Sequence, residues 1–159
     1  KYFQPGIGFG GSCLPKDVSA FNFFSSRKLK KNNLLNNYLK INTSITDEVI
    51  KKSLKKFNVS KKKTVIFLGA SFKPGSDDIR HSKSIIFINK FLKKNNKKFL
   101  VYDEKVKKIK INGKINLVIN KKPKFDNKHF YILLTEWKNY INFIKKIPSE
   151  NFFDTRDII

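Results

Sequence analysis

The 159-residue sequence has one cysteine, one tryptophan, two histidines, no methionine, and 12 acidic residues against 35 basic ones. A single thiol, Cys13, rules out an internal disulfide framework. His81 and His129 lie far from it and from each other in sequence, so no spacing fits a zinc site. That cysteine usage fits a reducing, cytoplasmic setting. No apolar run approaches the roughly 20 residues that span a bilayer, and the first residues show no signal-peptide pattern. With Lys1 in first place and a glycine-rich loop opening at Gly6, the sequence reads as the C-terminal part of a longer protein.

Charge of one sign is abundant, at a formal +23, which points first to nucleic acid. The distribution argues otherwise. Arginine, whose planar fork grips phosphates and bases, occurs only as Arg27, Arg80 and Arg156, while lysines are scattered in runs such as Lys61-Lys62-Lys63, Lys97-Lys98 and Lys145-Lys146. Alongside the plentiful Asn, Ile and Phe, this lysine excess reads as the drift of an AT-rich coding sequence. A basic nucleic-acid-binding domain stays as the remote alternative.

At about 150 residues per domain there is room for one ordinary core with an appended helical segment. Residues 1–16 form a Gly/Pro-rich loop. From Pro15 to about Asn58 the pattern is helical: Val18, Phe21 and Phe24 recur at helical spacing, with a break expected at Asn32-Asn33 and Asn36-Asn37. The second helix is expected to turn Leu39, Ile45, Val49, Ile50 and Leu54 inward. Strands follow at 64–68, 99–102, 115–119, 131–134 and 152–153. Between them come helices marked by Ile85, Ile88 and Leu92 and, over 137–146, by Ile141 and Ile144. Strands alternating with helices imply a parallel sheet covered on both faces, an α/β fold. The division is residues 1–60, then 61–159.

The stretch from Gly6 to Gly11 satisfies the dinucleotide pattern G-x-G-x-x-G, but its context is wrong. No strand precedes it, Pro15 delays the helix, and no acidic residue lies between Asp17 and Asp47 to hold a ribose. The glycines instead deliver Cys13 to a helix start beside Lys16, two features that stabilise a thiolate, with the Asp17 carboxylate one turn on. A cysteine nucleophile with a carboxylate to position water is a coherent covalent site. A lone cysteine is equally a small hydrophobe, and residue chemistry alone leaves both readings open.

The segment GFGGSCLPKD, from Gly8 to Asp17, resembles the active-site segment of the UDP-glucose 6-dehydrogenase family, among the nucleotide-sugar dehydrogenases. So does GASFKPGSDDIR, from Gly69 to Arg80, with weaker echoes at Thr135-Glu136-Trp137 and Phe153-Asp154-Thr155-Arg156. The resemblance implies a helical central segment followed by a Rossmann-like three-layer α/β/α UDP-binding domain with a mainly parallel sheet. It also implies two hydride transfers from a sugar C6 alcohol to NAD. Cys13 is then the nucleophile holding a thiohemiacetal and a thioester, and Asp17 the carboxylate that positions water. Tyr2, Phe3, Gln4, Pro5, Gly6, Phe9, Gly10, Phe72 and Lys73 match positions around the nucleotide-sugar, and Arg156 one that reaches the substrate. Lys16 and Arg80 match positions that touch NAD. The alternative for Lys73 and Arg80 is a surface pairing with Asp77 or Asp78, and for Asp103, a ribose ligand or a strand-end cap.

The family commonly has Glu-Ser-Pro where this sequence has His81-Ser82-Lys83, though Ser82 remains able to cap a helix. The NAD-binding Rossmann domain and the family's catalytic lysine and asparagine fall outside the chain, so it is expected to be inactive alone. The resemblance also implies a homodimer, or a higher homo-oligomer, through the central helix, and no membrane partner. The cysteine loop and Thr135-Glu136-Trp137 favour UDP-glucose over GDP-mannose or UDP-N-acetyl sugars. The rival of another class is a non-catalytic nucleotide-sugar-binding fragment.

Overall fold

The computed structural model describes residues 6–28 and 34–158, so Tyr2, Phe3, Gln4, Pro5, Asn32 and Asn33 lie outside the described residues. Two helices come first, α1 (Leu14–Lys28) and α2 (Leu34–Ser60). They are followed by β1 (Thr64–Leu68), α3 (Lys83–Lys94), β2 (Lys98–Tyr102), β3 (Lys108–Ile111), β4 (Lys114–Leu117), β5 (His129–Leu133), the short α4 (Ile141–Ile144) and β6 (Phe152–Asp154).

The principal sheet runs β2-β1-β5-β6 with every pairing parallel, as strands separated by helices require. Its central strands are apolar on both sides and feed two cores. Val65, Phe67, Phe130 and Ile132 face α2 and α3, meeting Ile50, Phe57, Phe87, Ile88 and Phe91. Ile66, Leu68, Tyr131 and Leu133 face the other way, meeting Trp137, Tyr140, Phe143 and Ile144. This alternation along each strand explains near-continuous hydrophobic runs in a sheet covered on both faces. Ser82 caps α3 by accepting from the Ile85 amide at 3.5 Å, so the family's proline is not needed to start that helix.

Four local expectations are corrected. Residues 115–119 do not extend the principal sheet: β4 pairs antiparallel with β3, Ile115 and Leu117 are exposed, and Ile119 makes a single parallel bridge to Tyr102. The cause is the turn at Asn112-Gly113, with φ of 47° and 83°, the left-handed pair that closes a two-residue hairpin. The helix expected over 137–146 is a 3-10 turn, Lys138–Tyr140, followed by the four-residue α4. Asn36 and Asn37 lie inside α2, where Asn36 Oδ1 accepts from Asn22 Nδ2 of α1 at 2.7 Å. Ile45 is 37% exposed, because the buried stripe of α2 is Asn42, Thr46, Ile50, Ser53 and Phe57.

Candidate functional site

The stripe of α2 begins with polar residues because it faces backbone. Asn42 Oδ1 accepts from the Phe9 amide at 2.7 Å while its Nδ2 donates to the Phe9 carbonyl at 3.1 Å, and Thr46 Oγ1 donates to the Ile7 carbonyl at 2.7 Å. Gly8 crosses Asn42 at φ 98°, where any side chain would be strained and would collide with Asn42. Phe9 stacks on Tyr38 with ring centroids 5.0 Å apart. Asn42 and Thr46 thus fix the loop that leads to Cys13. Apolar periodicity did not find them, since the signal is two small polar side chains on the core-facing stripe of a long helix.

On its other side the glycine loop meets the second motif. A Cβ on Gly11, whose φ is 85°, would stand 2.9 Å from the Phe72 ring, and one on Gly10 would strike the His81 carbonyl. A Cβ on Gly6 would lie 2.8 Å from Arg156 Nη1. Segments some 60 and 150 residues apart in sequence are therefore in van der Waals contact. Lys83 adds a further tie, its Nζ donating to the Asn42 carbonyl at 3.0 Å. Burial, with Lys90 nearby, pushes the Lys83 ammonium below its usual pKa.

Cys13 is exposed at the head of α1. Its carbonyl accepts from the Asp17 amide at 2.9 Å, and its Sγ lies 3.7 Å from Ser12 Oγ. The side chains of Lys16 and Asp17 pair with each other at 3.2 Å in solvent. Arg80 makes a two-pronged contact with Asp78, Nε to Oδ1 at 3.0 Å and Nη2 to Oδ2 at 2.8 Å. Hydrogen bonding to Arg80 holds the Asp78 carboxyl at about 2, well below its usual value. Hydrogen bonding to Asp78 in turn raises the Arg80 guanidinium above its usual value. Lys73 is exposed, its Nζ 5.3 Å from the centre of the Phe72 ring.

Beneath these loops the carboxyl ends of β1, β2 and β5 are tied by Asp103, which is fully buried. Its Oδ2 accepts from the Ala70 and Ser71 amides, Ser71 Oγ and Trp137 Nε1, and its Oδ1 from the Lys105 and Val106 amides. Six donors occupy this carboxylate, so Asp103 is a strand-end cap and not a ribose ligand. Thr135 Oγ1 donates to the Ser71 carbonyl at 2.8 Å and packs against Gly69, whose φ of 102° leaves no room for a Cβ. Arg156 Nε donates to the Leu134 carbonyl at 2.8 Å and lies 3.2 Å from Glu136 Oε2. Thr135-Glu136-Trp137 therefore anchors the base of the loop carrying Phe72 and Lys73 and holds Arg156 beside Gly6.

Two family models match the chain: the UDP-glucose/GDP-mannose dehydrogenase family, UDP binding domain, over residues 66–159, and the central domain of the same family over residues 1–44. The chain belongs to the UDP-glucose/GDP-mannose dehydrogenase family. It is thus part of a family of nucleotide-sugar dehydrogenases, which are oxidoreductases.

Among curated relatives, UDP-glucose 6-dehydrogenase YwqF of Bacillus subtilis is 33% identical over 90 residues, covering 57% of this chain and 20% of that protein. GDP-mannose 6-dehydrogenase of Pseudomonas putida is 32% identical over 112 residues, covering 70% of this chain and 24% of that protein. A solved ternary complex of GDP-mannose dehydrogenase from Pseudomonas aeruginosa shares the fold. Its TM-score is 0.71 at 22% identity, over 97% of this chain and 37% of that one. The matches thus span only a minor part of these family members. No helix among the described residues is long and apolar enough to cross a membrane.

Proposed function

We propose that the chain is the C-terminal part of a cytoplasmic, NAD-dependent UDP-glucose 6-dehydrogenase that forms UDP-glucuronate. Residues 1–60 supply the cysteine loop and part of a central helical segment through which two copies pair, and residues 61–159 form the UDP-binding domain. The observation that carries this reading is the contact of the Cys13 loop with Phe72 through Gly11 and with Arg156 through Gly6. A nucleophile and the cations suited to a nucleotide-sugar thereby share one surface.

In this reading Tyr2, Phe3, Gln4, Pro5, Gly6, Phe9, Gly10, Phe72, Lys73 and Arg156 hold the nucleotide-sugar, with Lys73 and Arg156 facing its negative charge. The C6 alcohol loses a hydride and a proton to give an aldehyde. The Cys13 thiolate adds to that carbonyl carbon, and loss of a second hydride from the adduct leaves a thioester. Water positioned by Asp17 breaks the carbon–sulfur bond, releasing the carboxylate and regenerating the thiol. NAD supplies the hydride acceptor for both oxidations. Lys16 and Arg80 suit its pyrophosphate: both are exposed cations, Lys16 three residues after Cys13, and each pairs with a neighbouring carboxylate.

Cys13→Ser in the complete protein tests the assignment. Full oxidation of UDP-glucose to the carboxylate should be abolished, while UDP-glucose still protects the protein against thermal unfolding. NADH formation at an undiminished rate would remove Cys13 as nucleophile. Binding without turnover in the unaltered complete protein would favour a nucleotide-sugar-binding module instead. Faster turnover of GDP-mannose or of a UDP-N-acetyl sugar than of UDP-glucose would reassign the substrate within the family.

A further inference from the structure

The glycine loop that precedes Cys13 runs between two walls. On one side Asn42 of α2 brackets Phe9 with its side-chain amide, and a Cβ on Gly8 would stand 2.9 Å from the Asn42 carbonyl oxygen. On the other side, a Cβ on Gly10 would strike the His81 carbonyl and stand 3.3 Å from the Lys83 amide nitrogen and 3.4 Å from Lys83 Cγ. The Lys83 side chain joins the two walls. Its stem passes beside Gly10, and its Nζ donates to the same Asn42 carbonyl that Gly8 approaches, at 3.0 Å.

Holding an ammonium there is unfavourable. Lys83 is half-buried, desolvation together with the charge of Lys90 works against its protonated form, and the nearby carboxylate, Asp47, pairs with Lys90 at 2.6 Å. A methionine would fill the same space with no charge to desolvate, so what lysine adds is the bond to Asn42. The two helices do not need that bond to dock, because Phe91 of α3 meets Phe57 of α2 at 5.7 Å between ring centres and Ile50, Phe87 and Ile88 share one core. Its effect is local. Lys83 follows Ser82, whose hydroxyl donates to the Ala70 carbonyl at 2.7 Å, and the Phe72 amide on the loop between them donates to the Asp78 carbonyl at 3.1 Å. A closed circuit of contacts therefore runs from Asn42 through Lys83 and Ser82 to the Phe72 loop, and back through Gly11 to the residues before Cys13.

We propose that Lys83 is a positioning residue for the cysteine loop: by strapping Gly10 to the Asn42 carbonyl it fixes where the loop presents Cys13 relative to Phe72 and Lys73. It acts through Asn42 and the loop backbone, not through a substrate contact. Its effect on turnover rests on the assignment of Cys13 as nucleophile, whereas its hold on the loop does not.

The test combines hydrogen exchange and steady-state kinetics of the complete protein in three variants. Lys83→Met keeps the stem and removes the ammonium, Lys83→Arg restores a charged donor, and Ile88→Val lowers stability from the buried face of α3 without touching the loop. In Lys83→Met, amide exchange of residues 7–12, read by mass spectrometry, should quicken about tenfold, the scale of one charge-assisted hydrogen bond. In the same variant kcat for UDP-glucose oxidation should fall about tenfold while KM stays within about twofold. Lys83→Arg should recover part of both losses, and Ile88→Val should show neither. Unchanged loop exchange in Lys83→Met, a loosened loop with kcat unaltered, or the same two effects in Ile88→Val would each overturn the proposal. A parent protein that turns over no nucleotide-sugar would instead sink the dehydrogenase reading, and the exchange arm would still decide whether Lys83 holds the loop.

Discussion

Phenylalanine has opposite fates in the two regions of this chain. In the sheet region Phe67, Phe87 and Phe91 are fully buried and pack edge-on or stacked on one another, and Phe57, from the end of α2, packs edge-on against both Phe91 and the fully buried Phe130. In α1, Phe21 and Phe24 are each 65% exposed and Phe23 is 52% exposed, with Tyr38 and Ile41 of α2 also exposed. The same helical periodicity that marks a core-facing stripe in α3 marks an uncovered one in α1. Periodicity reports that a face wants burial; whether it is buried within this chain depends on what the fold places opposite it. The sheet region is sealed once the later part of α2 covers it, and the first helices present a surface that a second copy suits under the proposed dimerisation.

The largest effect should come from cutting into the sealed region. Phe91→Ala removes a ring that touches Phe57, Phe67 and Phe87 and should cost about 3–5 kcal/mol of unfolding free energy in urea titration. Phe24→Ala, the matched truncation in the open region, should stay within about 0.5 kcal/mol and instead lower self-association measured by sedimentation. Equal destabilisation by the two would erase the distinction between the regions.

The same contrast explains what the sequence made legible. The parallel sheet followed from β-branched and aromatic runs alternating with helical spacing, because those strands are buried on both faces and their composition says so. The apolar residues at 115–119 suggest a further strand of the sheet, but Asn112-Gly113 dictates a reversal that pairs them with β3 instead. Ile45 turns outward because two polar residues, Asn42 and Thr46, occupy the inward stripe, and no hydrophobic count weighs a hydrogen bond to a distant loop. The two motifs could be read as sequence, but their contact through Gly11 and Phe72 is a property of tertiary structure alone.

An intermediate effect should come from the junction of the two regions. Asn42→Ala leaves the Phe9 amide and carbonyl without their partner and should cost about 1–2 kcal/mol of stability. In the complete protein it should also lower kcat for UDP-glucose oxidation more than it raises KM, since it loosens the loop bearing Cys13 without removing a substrate contact. Asn42→Asp keeps one acceptor for the Phe9 amide and should recover part of the loss; no difference between the two variants would mean that Asn42 acts by packing alone.

The smallest effect concerns the surface of that junction, where Arg80 is 71% exposed and Asp78 19% exposed. Asp78 sits at about 2 instead of its usual 3.8, chiefly through its side-chain hydrogen bonds to Arg80. Because the folded value is the lower one, the folded state binds fewer protons between these limits. The stabilisation is therefore complete above the unfolded value and fades as pH falls toward the folded one. Arg80→Ala removes it, so the melting-temperature gap between parent and variant should be steady above about pH 5 and close toward pH 2. Added salt should narrow the gap at neutral pH, as it does for exposed pairs. A gap that persists unchanged into acid would mean that Arg80 supports the loop through packing, and would place residues 72–81 with the sealed region, not with the open surface beside Cys13.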